Sequence, residues 1–185
     1  MTQAGPAMAG RTCLVTGATS GIGKATATGL ARLGADLVLV ARDPAKGQAT
    51  AAEIEAATGN PGVEVLLADL SSQASVRRAA EEYRRGHDRL HVLVNNAGGF
   101  WATRHVTVDG LELTFALNHL AYFLLTNLVL DLLGASAPAR VVNVTSGAQA
   151  VGDITAARGT EMVLPIWIRL WGALQVPAFN FKVVR

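Results

Sequence analysis

Two places in the chain combine residue types that can do chemistry, and each follows an apolar run. At the first, Gly17, Gly21 and Gly23 follow the spacing G-x-x-x-G-x-G just after "TCLVT". Glycines let a backbone approach an anion closely, and amide groups at a helix start would then face that anion. At the second, Thr145 and Ser146 end the run "RVVNV". Ser146 could there be a nucleophile, a group that binds a substrate oxygen, or only the polar end of a strand.

Three other kinds of site fit these residues poorly. A phosphate-binding loop of the Walker A type needs glycine at 18 and serine or threonine at 25, where this chain has Ala18 and Ala25. A nucleophile elbow, G-x-S-x-G, would need glycines at the positions of Val144 and Ala148. The four histidines show no metal-ligand spacing, so no metal site is expected. A glycine turn with a purely structural role remains an alternative for the first place.

The elements that must position these residues alternate along the chain. Short, nearly continuous apolar runs predict strands buried on both faces, and amphipathic patterns between them predict helices. The predicted strands are 12–16, 36–41, 63–68, 90–95 and 140–144, and the predicted helices are 21–33, 44–57, 72–85 and 109–133. This alternation indicates one α/β domain with a doubly wound parallel sheet between two layers of helices. Residues 151–185 break the rhythm and are predicted to form a divergent tail.

The end of the second predicted strand bears on which dinucleotide such a fold would take. An acid there holds the ribose 2′-hydroxyl of NAD, whereas an arginine accommodates the 2′-phosphate of NADP. Arg42 follows this strand, and Lys24 of the glycine loop can help it, so NADP is favoured over NAD. Asp43 is an acid at the same place, but it also has the position of a helix N-cap.

Composition limits the partners and the compartment. The net charge is only +2 and no dense Lys/Arg block is present, so no nucleic-acid partner is expected. Cys13 is the single cysteine, so no internal disulfide can form, and the N-terminus does not read as a signal peptide. We therefore expect a cytoplasmic protein. A membrane contact through Trp167 and Trp171 of the broken apolar stretch 162–179 is a weaker expectation.

Five motifs together resemble the short-chain dehydrogenase/reductase family, and its retinol-dehydrogenase-like NADP branch in particular. They are "TGATSGIGK", Asp69-Leu70, "NNAG" (95–98), Asn118 and "NVTS" (143–146), in the family's order and spacing over residues 9–150. The resemblance implies a Rossmann-like sheet and an NADP-dependent exchange of an alcohol and a carbonyl by hydride transfer on a small molecule.

The same resemblance implies a role for each matching residue. The pyrophosphate would lie against Gly17, Ser20, Gly21, Ile22 and Gly23, and the adenine against Asp69 and Leu70. Asn95, Ala97 and Gly98 would flank the riboses and support the central strand. Ser146 would bind the substrate oxygen, and Asn118 would help to hold a catalytic lysine through water.

The family's catalytic tyrosine and lysine have no match in register. Y-x-x-x-K should follow Ser146 by a dozen to two dozen residues, and residues 151–171 contain neither type. Tyr83 is predicted on a surface helix, and Tyr122, one turn after Asn118, is expected to pack rather than to act. In "AFNFK", Ala178 occupies the place that a tyrosine before Lys182 would take. The alternative function is therefore an inactive dinucleotide-binding protein or a truncated fragment.

The resemblance also predicts what the sheet lacks. The family's last strands are missing or replaced here, so the strand at 140–144 would expose an apolar edge unless the tail covers it. We expect residues 151–185 to come from truncation, splicing or a frameshift. The apolar helix from Leu120 to Leu133 is consistent with a homodimer interface, and equally with core packing.

Overall fold

A parallel sheet forms the centre of the computed structural model, which describes residues 6–146 and 182–184. Its order is β3-β2-β1-β4-β5-β6, and every neighbouring pair is parallel. The strands are β1 (Thr12–Thr16), β2 (Asp36–Ala41), β3 (Val63–Leu67), β4 (Val92–Asn95), β5 (Arg140–Val144) and β6 (Lys182–Val184). The predicted doubly wound, Rossmann-like sheet is confirmed. Strand order reverses between β1 and β4, which is where such sheets bind ligands.

Helices connect the strands. They are α1 (Gly21–Arg32), α2 (Pro44–Thr58), α3 (Gln73–Gly86), α4 (Leu113–Phe115), α5 (Ala121–Leu128) and α6 (Leu130–Ala135), with a π-helical turn (Ala116–Leu120) between α4 and α5. The single helix predicted over 109–133 was wrong in three respects. It begins at Leu113, because the preceding residues form a turn with Gly110 at φ +75°. The π-turn and a break at Val129 interrupt it, and it continues past Gly134 to Ala135.

The core has two parts, one on each face of the sheet, which gives the three layers expected. On one face α3 and α5 pack against residues such as Leu14, Leu93 and Val141. On the other face α1 and α2 cover residues such as Val15 and Leu39. The central strands β1, β2 and β4 thus send successive side chains into opposite cores, which explains their nearly continuous apolar sequences.

Tyr83 belongs to this core, because it lies on the buried face of the surface helix on which it was predicted. Only 2% of Tyr83 is exposed, and its hydroxyl donates a 2.8 Å hydrogen bond to the Arg89 carbonyl. Its ring stacks on His87 with centroids 4.5 Å apart. α3 is amphipathic, and Tyr83 lies on its buried face together with Val76 and Ala80.

The C-terminal residues pair with the edge that the sequence leaves open. β6 runs parallel to β5 with Val142 opposite Lys182 and Val144 opposite Val184. The edge of β5 is therefore covered over three residues, as expected if the tail returns to the sheet. The rest of the tail, including Trp167 and Trp171 of the predicted membrane contact, lies outside the described residues. Within the described part of the chain, no helix is long and apolar enough to cross a membrane.

Candidate dinucleotide site

The sequence-predicted site residues lie at the carboxyl ends of the parallel strands. The glycine loop follows β1, Arg42 follows β2, Asp69 follows β3, "NNAG" ends β4, and Ser146 follows β5. Carboxyl ends of parallel strands meet at one edge of a sheet, so the fold gathers segments that are far apart in sequence.

The three glycines of the loop have different local surroundings. Gly17 has φ +63°, and a Cβ there would lie 2.7 Å from the Cα of Ala97. Gly23 is packed so closely against the Gly17 carbonyl that it also has no room for a side chain. Gly21 has φ +51° and open space where a Cβ would point. Two glycines therefore close the loop against its neighbours, and the third leaves a cradle open to a ligand.

The N-terminus of α1 differs from those of α2, α3 and α4, the other helices that follow a loop. Ser20 is its N-cap but makes no side-chain capping hydrogen bond, and no acid lies in the first turn. Side chains cap the others: Asp43 caps α2, Ser72 caps α3 and Glu112 caps α4. The positive end of the α1 dipole is thus left for an anion, beside the open Gly21. This geometry fits the pyrophosphate of a dinucleotide.

Thr16 and Asn96 lock the glycine loop to the loop after β4. The fully buried Thr16 hydroxyl accepts hydrogen bonds from the amides of Asn96 at 2.9 Å and Ala97 at 3.0 Å, and donates to the Val94 carbonyl. The Asn96 side chain donates to the carbonyls of Thr16 at 3.0 Å and Gly17 at 3.2 Å. Sequence reasoning missed both residues, although Asn96 stands in the middle of "NNAG".

Asn95 lies inside the protein rather than at the surface of the site. It is completely buried, and its Nδ2 donates to Thr126 Oγ1 at 3.1 Å and Asn143 Oδ1 at 2.9 Å. Its Oδ1 is buried without a hydrogen-bond partner in the part of the chain that the structure describes. The contacts of Asn95 join β4 to β5 and α5. The other two residues of this segment, Ala97 and Gly98, are half-buried and exposed.

On the adenine side of the predicted site, hydrogen bonds hold Asp69 and the core buries Leu70. Asp69 is exposed, and its Oδ1 accepts hydrogen bonds from the amide and hydroxyl of Ser71 at 2.9 and 2.7 Å. Leu70 is 8% exposed and belongs to the core. Ile22, in the first turn of α1, is 67% exposed and is one of the few large apolar side chains left open to solvent.

Of the residues expected to select the dinucleotide, Arg42 is exposed, whereas Asp43 and Lys24 make contacts within the protein. Arg42 is exposed at the end of β2, while Asp43 Oδ1 accepts from the amides of Ala45 at 2.9 Å and Lys46 at 3.2 Å. Asp43 thus serves as the predicted cap of α2. The ammonium group of Lys24 forms an ion pair with Glu53 of α2 rather than assisting Arg42.

Asn118 holds the loop after β4 by two hydrogen bonds. Its Nδ2 donates to the Gly99 carbonyl at 2.8 Å, and its Oδ1 accepts from the Gly99 amide at 2.9 Å. It lies in the π-turn, which changes the helix periodicity at this residue. Ser146 is exposed just beyond β5.

Burial holds the rings of His119, Tyr122 and Tyr83 neutral. Burial lowers the pKa of His119 to about 4, and its ring stacks on Phe115 with centroids 4.8 Å apart. Burial raises the pKa of Tyr122, which is 6% exposed, and that of Tyr83. A tyrosine that exchanges a proton in catalysis near neutral pH needs the opposite shift. Both tyrosines therefore serve packing in this geometry.

Comparisons with known proteins agree with the fold and identify the family. The sequence model of the short chain dehydrogenase family matches residues 11–157. Retinol dehydrogenase 12 of Mus musculus is 47% identical over 145 residues, which are 78% of this chain and 46% of that protein. Retinol dehydrogenase 13 of Homo sapiens is 45% identical over 145 residues, 78% of this chain and 44% of that protein. This chain spans about half the length of these relatives.

Solved structures give the same answer. The NADP active-site complex of RhlG from Pseudomonas aeruginosa superposes with a TM-score of 0.69 at 38% identity, covering 79% of this chain and 59% of that one. A metagenomic short-chain oxidoreductase in complex with NADP superposes with a TM-score of 0.66 at 34% identity, covering 77% and 65%. By sequence match and by fold, this chain belongs to the short-chain dehydrogenase/reductase family of oxidoreductases.

Proposed function

We propose that this chain binds NADP(H) at the carboxyl edge of its sheet, and that the protein exchanges an alcohol and a carbonyl on a small molecule by hydride transfer. The observation that carries the proposal is the uncapped N-terminus of α1 beside the open face of Gly21. The other helices that follow a loop, α2, α3 and α4, have a side-chain cap, whereas here a bound anion would complete the helix end.

The preference for NADP over NAD rests on Arg42. Its guanidinium is exposed at the strand end where a 2′-phosphate would lie. Asp43, the acid that would favour a 2′-hydroxyl, is engaged at the α2 N-terminus. Lys24 contributes less than the sequence suggested, because Glu53 neutralises it. Both solved structures named above are NADP complexes, which supports the same choice.

Hydride transfer is the chemistry that the dinucleotide supplies when it is bound. The chain's own residues would orient the reactants. Ser146 would donate a hydrogen bond to the substrate oxygen, and Asn118 would keep the loop at Gly99 beside the nicotinamide end. The retinol dehydrogenases among the relatives point to an alcohol or carbonyl substrate.

A second function, dinucleotide binding without turnover, is favoured by one observation. The chain contains two tyrosines, and both are buried with raised pKa values. General acid–base catalysis contributes about 10²–10⁴-fold, so a site without a proton donor would turn over slowly at best. Binding and turnover must therefore be measured separately.

Titration of NADPH and NADH by calorimetry tests the proposal. We expect NADPH to bind at least about tenfold more tightly than NADH, the factor that an ion pair of about 1.4 kcal/mol provides. Arg42→Ala should remove this preference without weakening NADH. Arg78→Ala, which removes another exposed arginine from α3, serves as the control. Equal affinities in the unaltered chain would refute the NADP preference, and no binding of either would refute the site.

A turnover assay then decides between the two functions. Consumption of NADPH with a panel of aldehydes and ketones, abolished by Ser146→Ala, would support the oxidoreductase. Binding of NADPH without consumption would support the non-catalytic protein.

Self-association is a further part of the proposal. Phe123 on α5 remains 49% exposed while its neighbour Leu125 is in the core. If the protein forms a homodimer through this face, sedimentation should give the mass of a dimer. Phe123→Asp should reduce that mass to the mass of a monomer.

A further inference from the structure

Asp109 holds the N-terminus of a helix that begins 36 residues earlier in the chain. Its Oδ2 accepts a 2.7 Å hydrogen bond from the amide of Gln73, the first residue of α3. The first turn of α3 has no acid of its own, so Asp109 supplies the negative charge that a helix N-terminus favours. The contact joins the segment after β4 to the loop after β3.

The loop on the α3 side of this contact is the one assigned to the adenine. The Asp69 amide donates to Ser75 Oγ at 2.9 Å, and the Ser72 amide donates to the Asp69 carbonyl at 3.1 Å. These bonds join the loop 69–72 to the first turn of α3. A carboxylate that fixes Gln73 therefore also fixes the position of Asp69.

On the other side, Asp109 lies in a well-ordered hairpin of residues 105–113. The Gly110 amide closes a turn on the Thr107 carbonyl at 3.0 Å, and the Thr107 amide donates to the Leu111 carbonyl at 2.8 Å. Val106 and Glu112 form an antiparallel bridge. The hairpin has its own backbone hydrogen bonds, so a displacement of Asp109 moves the whole hairpin.

The hairpin leads directly into the helix that carries Asn118. Glu112 caps this helix by accepting hydrogen bonds from the amides of Thr114 at 2.9 Å and Phe115 at 2.8 Å. Asn118 follows within the next turn and holds Gly99. Hydrogen bonds and one short helix therefore connect the adenine loop to the asparagine continuously.

We propose that Asp109 is a positioning residue that ties the adenine loop 69–72 to the helix carrying Asn118, so that an adenine nucleotide bound at one end orders Asn118 at the other. The inference rests on the proposed function, which supplies the ligand. It requires no other partner, and it gives a role to a residue outside the predicted cofactor and substrate contacts.

Amide hydrogen exchange in the ligand-free protein tests the tie itself, which is the hydrogen-bonded connection from Gln73 through Asp109 to Gly99. The amides of Gln73 and Gly99 donate the hydrogen bonds at its two ends, so their exchange rates report on it directly. We expect Asp109→Ala to speed exchange at Gln73 about fivefold, the factor that one ordinary hydrogen bond provides. Asp109→Asn keeps an acceptor oxygen and should have a smaller effect. Asp88→Asn removes another exposed carboxylate and should change neither rate.

Binding of adenosine 2′,5′-bisphosphate, which occupies the adenine end alone, tests the linkage. In the unaltered chain it should slow exchange at Gly99. In Asp109→Ala it should bind about threefold more weakly, as expected for the partial loss of one capping hydrogen bond, and should leave Gly99 unchanged. Slowing of Gly99 in Asp109→Ala to the same extent as in Asp88→Asn would overturn the inference.

The two levels of failure are distinguishable. If the unaltered chain binds neither NADPH nor the bisphosphate, the proposed function fails and the linkage fails with it. If NADPH binds normally but exchange at Gln73 is the same in Asp109→Ala and the unaltered chain, the tie is refuted and the dinucleotide site stands.

Discussion

Replacing Thr16 by valine tests whether the two loops of the site depend on one buried hydroxyl. Valine has nearly the same shape, so no cavity forms, but the amides of Asn96 and Ala97 lose the acceptor that they share. An unsatisfied buried donor costs about 1–3 kcal/mol, and the lower half of this range applies because these amides are only partly buried. The two together predict a loss of roughly 3 kcal/mol in the free energy of unfolding.

Thermal unfolding followed by circular dichroism measures this loss. For a domain of this size, 3 kcal/mol corresponds to a fall in Tm of roughly 10 °C. Thr50→Val is the matched control: Thr50 is 4% exposed, and its hydroxyl donates to the Lys46 carbonyl within its own helix. That substitution leaves no donor without a partner and should cost less than about 1 kcal/mol.

The hydroxyl, rather than the shape of the side chain, carries the expected effect. Thr16→Ser keeps the hydroxyl and should retain most of the stability, apart from about 1 kcal/mol for the lost methyl group. Thr16→Val should also weaken the binding of NADPH, because the glycine loop and the "NNAG" loop are no longer held together. Equal Tm values for Thr16→Val and Thr50→Val would refute the reasoning.

Two further predictions concern the glycine loop and acid stability. An alanine in the left-handed region costs about 1–2 kcal/mol, and Gly17→Ala should lower the free energy of unfolding by more than this because the new Cβ meets Ala97. Gly21→Ala should incur only the backbone cost and yet lose NADPH binding. Chemical denaturation measures the stability of both variants, and calorimetry measures their binding of NADPH. Burial, followed by the charges of Arg11 and Arg89, lowers the pKa of His91, which accepts a 3.0 Å hydrogen bond from the Thr12 amide. The folded state thus favours the neutral imidazole of His91. The contribution of His91 to the free energy of unfolding is therefore fully present above the unfolded pKa of about 6.5 and is lost as the pH falls below that value. His119 has the same sign, so His91→Gln and His119→Gln should each flatten the slope of unfolding free energy between pH 7 and 5, and an unchanged slope in His91→Gln would contradict the assignment.

Local patterns predicted most of the sheet and the glycine loop because both depend on short segments. Continuous apolar runs set the strands, and the loop needs three glycines within seven residues. Tyr83 shows that a local signal was present but was not used: Val76, Ala79, Ala80 and Tyr83 have the spacing of one buried helix face. The sequence alone could have placed Tyr83 in the core.

The contacts that shape the site were beyond such patterns because they join distant segments. Thr16 meets Asn96 across 80 positions, and Asp109 reaches Gln73 across 36. Nothing in the sequence next to Lys24 indicates that Glu53 neutralises it, since this pairing requires α1 and α2 to pack side by side. The π-turn at Asn118 likewise follows from tertiary packing, because helix propensity does not specify it.

Binding and turnover depend on different parts of this chain. The hydrogen bonds that hold the glycine loop, "NNAG" and Asn118 are formed between residues 16 and 118, so this part of the predicted dinucleotide site lies within the described fold. Proton transfer requires a further group beside Ser146, and neither Tyr83 nor Tyr122 has the exposure or the pKa for that role. A group that raises turnover is therefore neither of these two tyrosines, and substitutions in the loops should change affinity for NADPH whether or not the protein turns over.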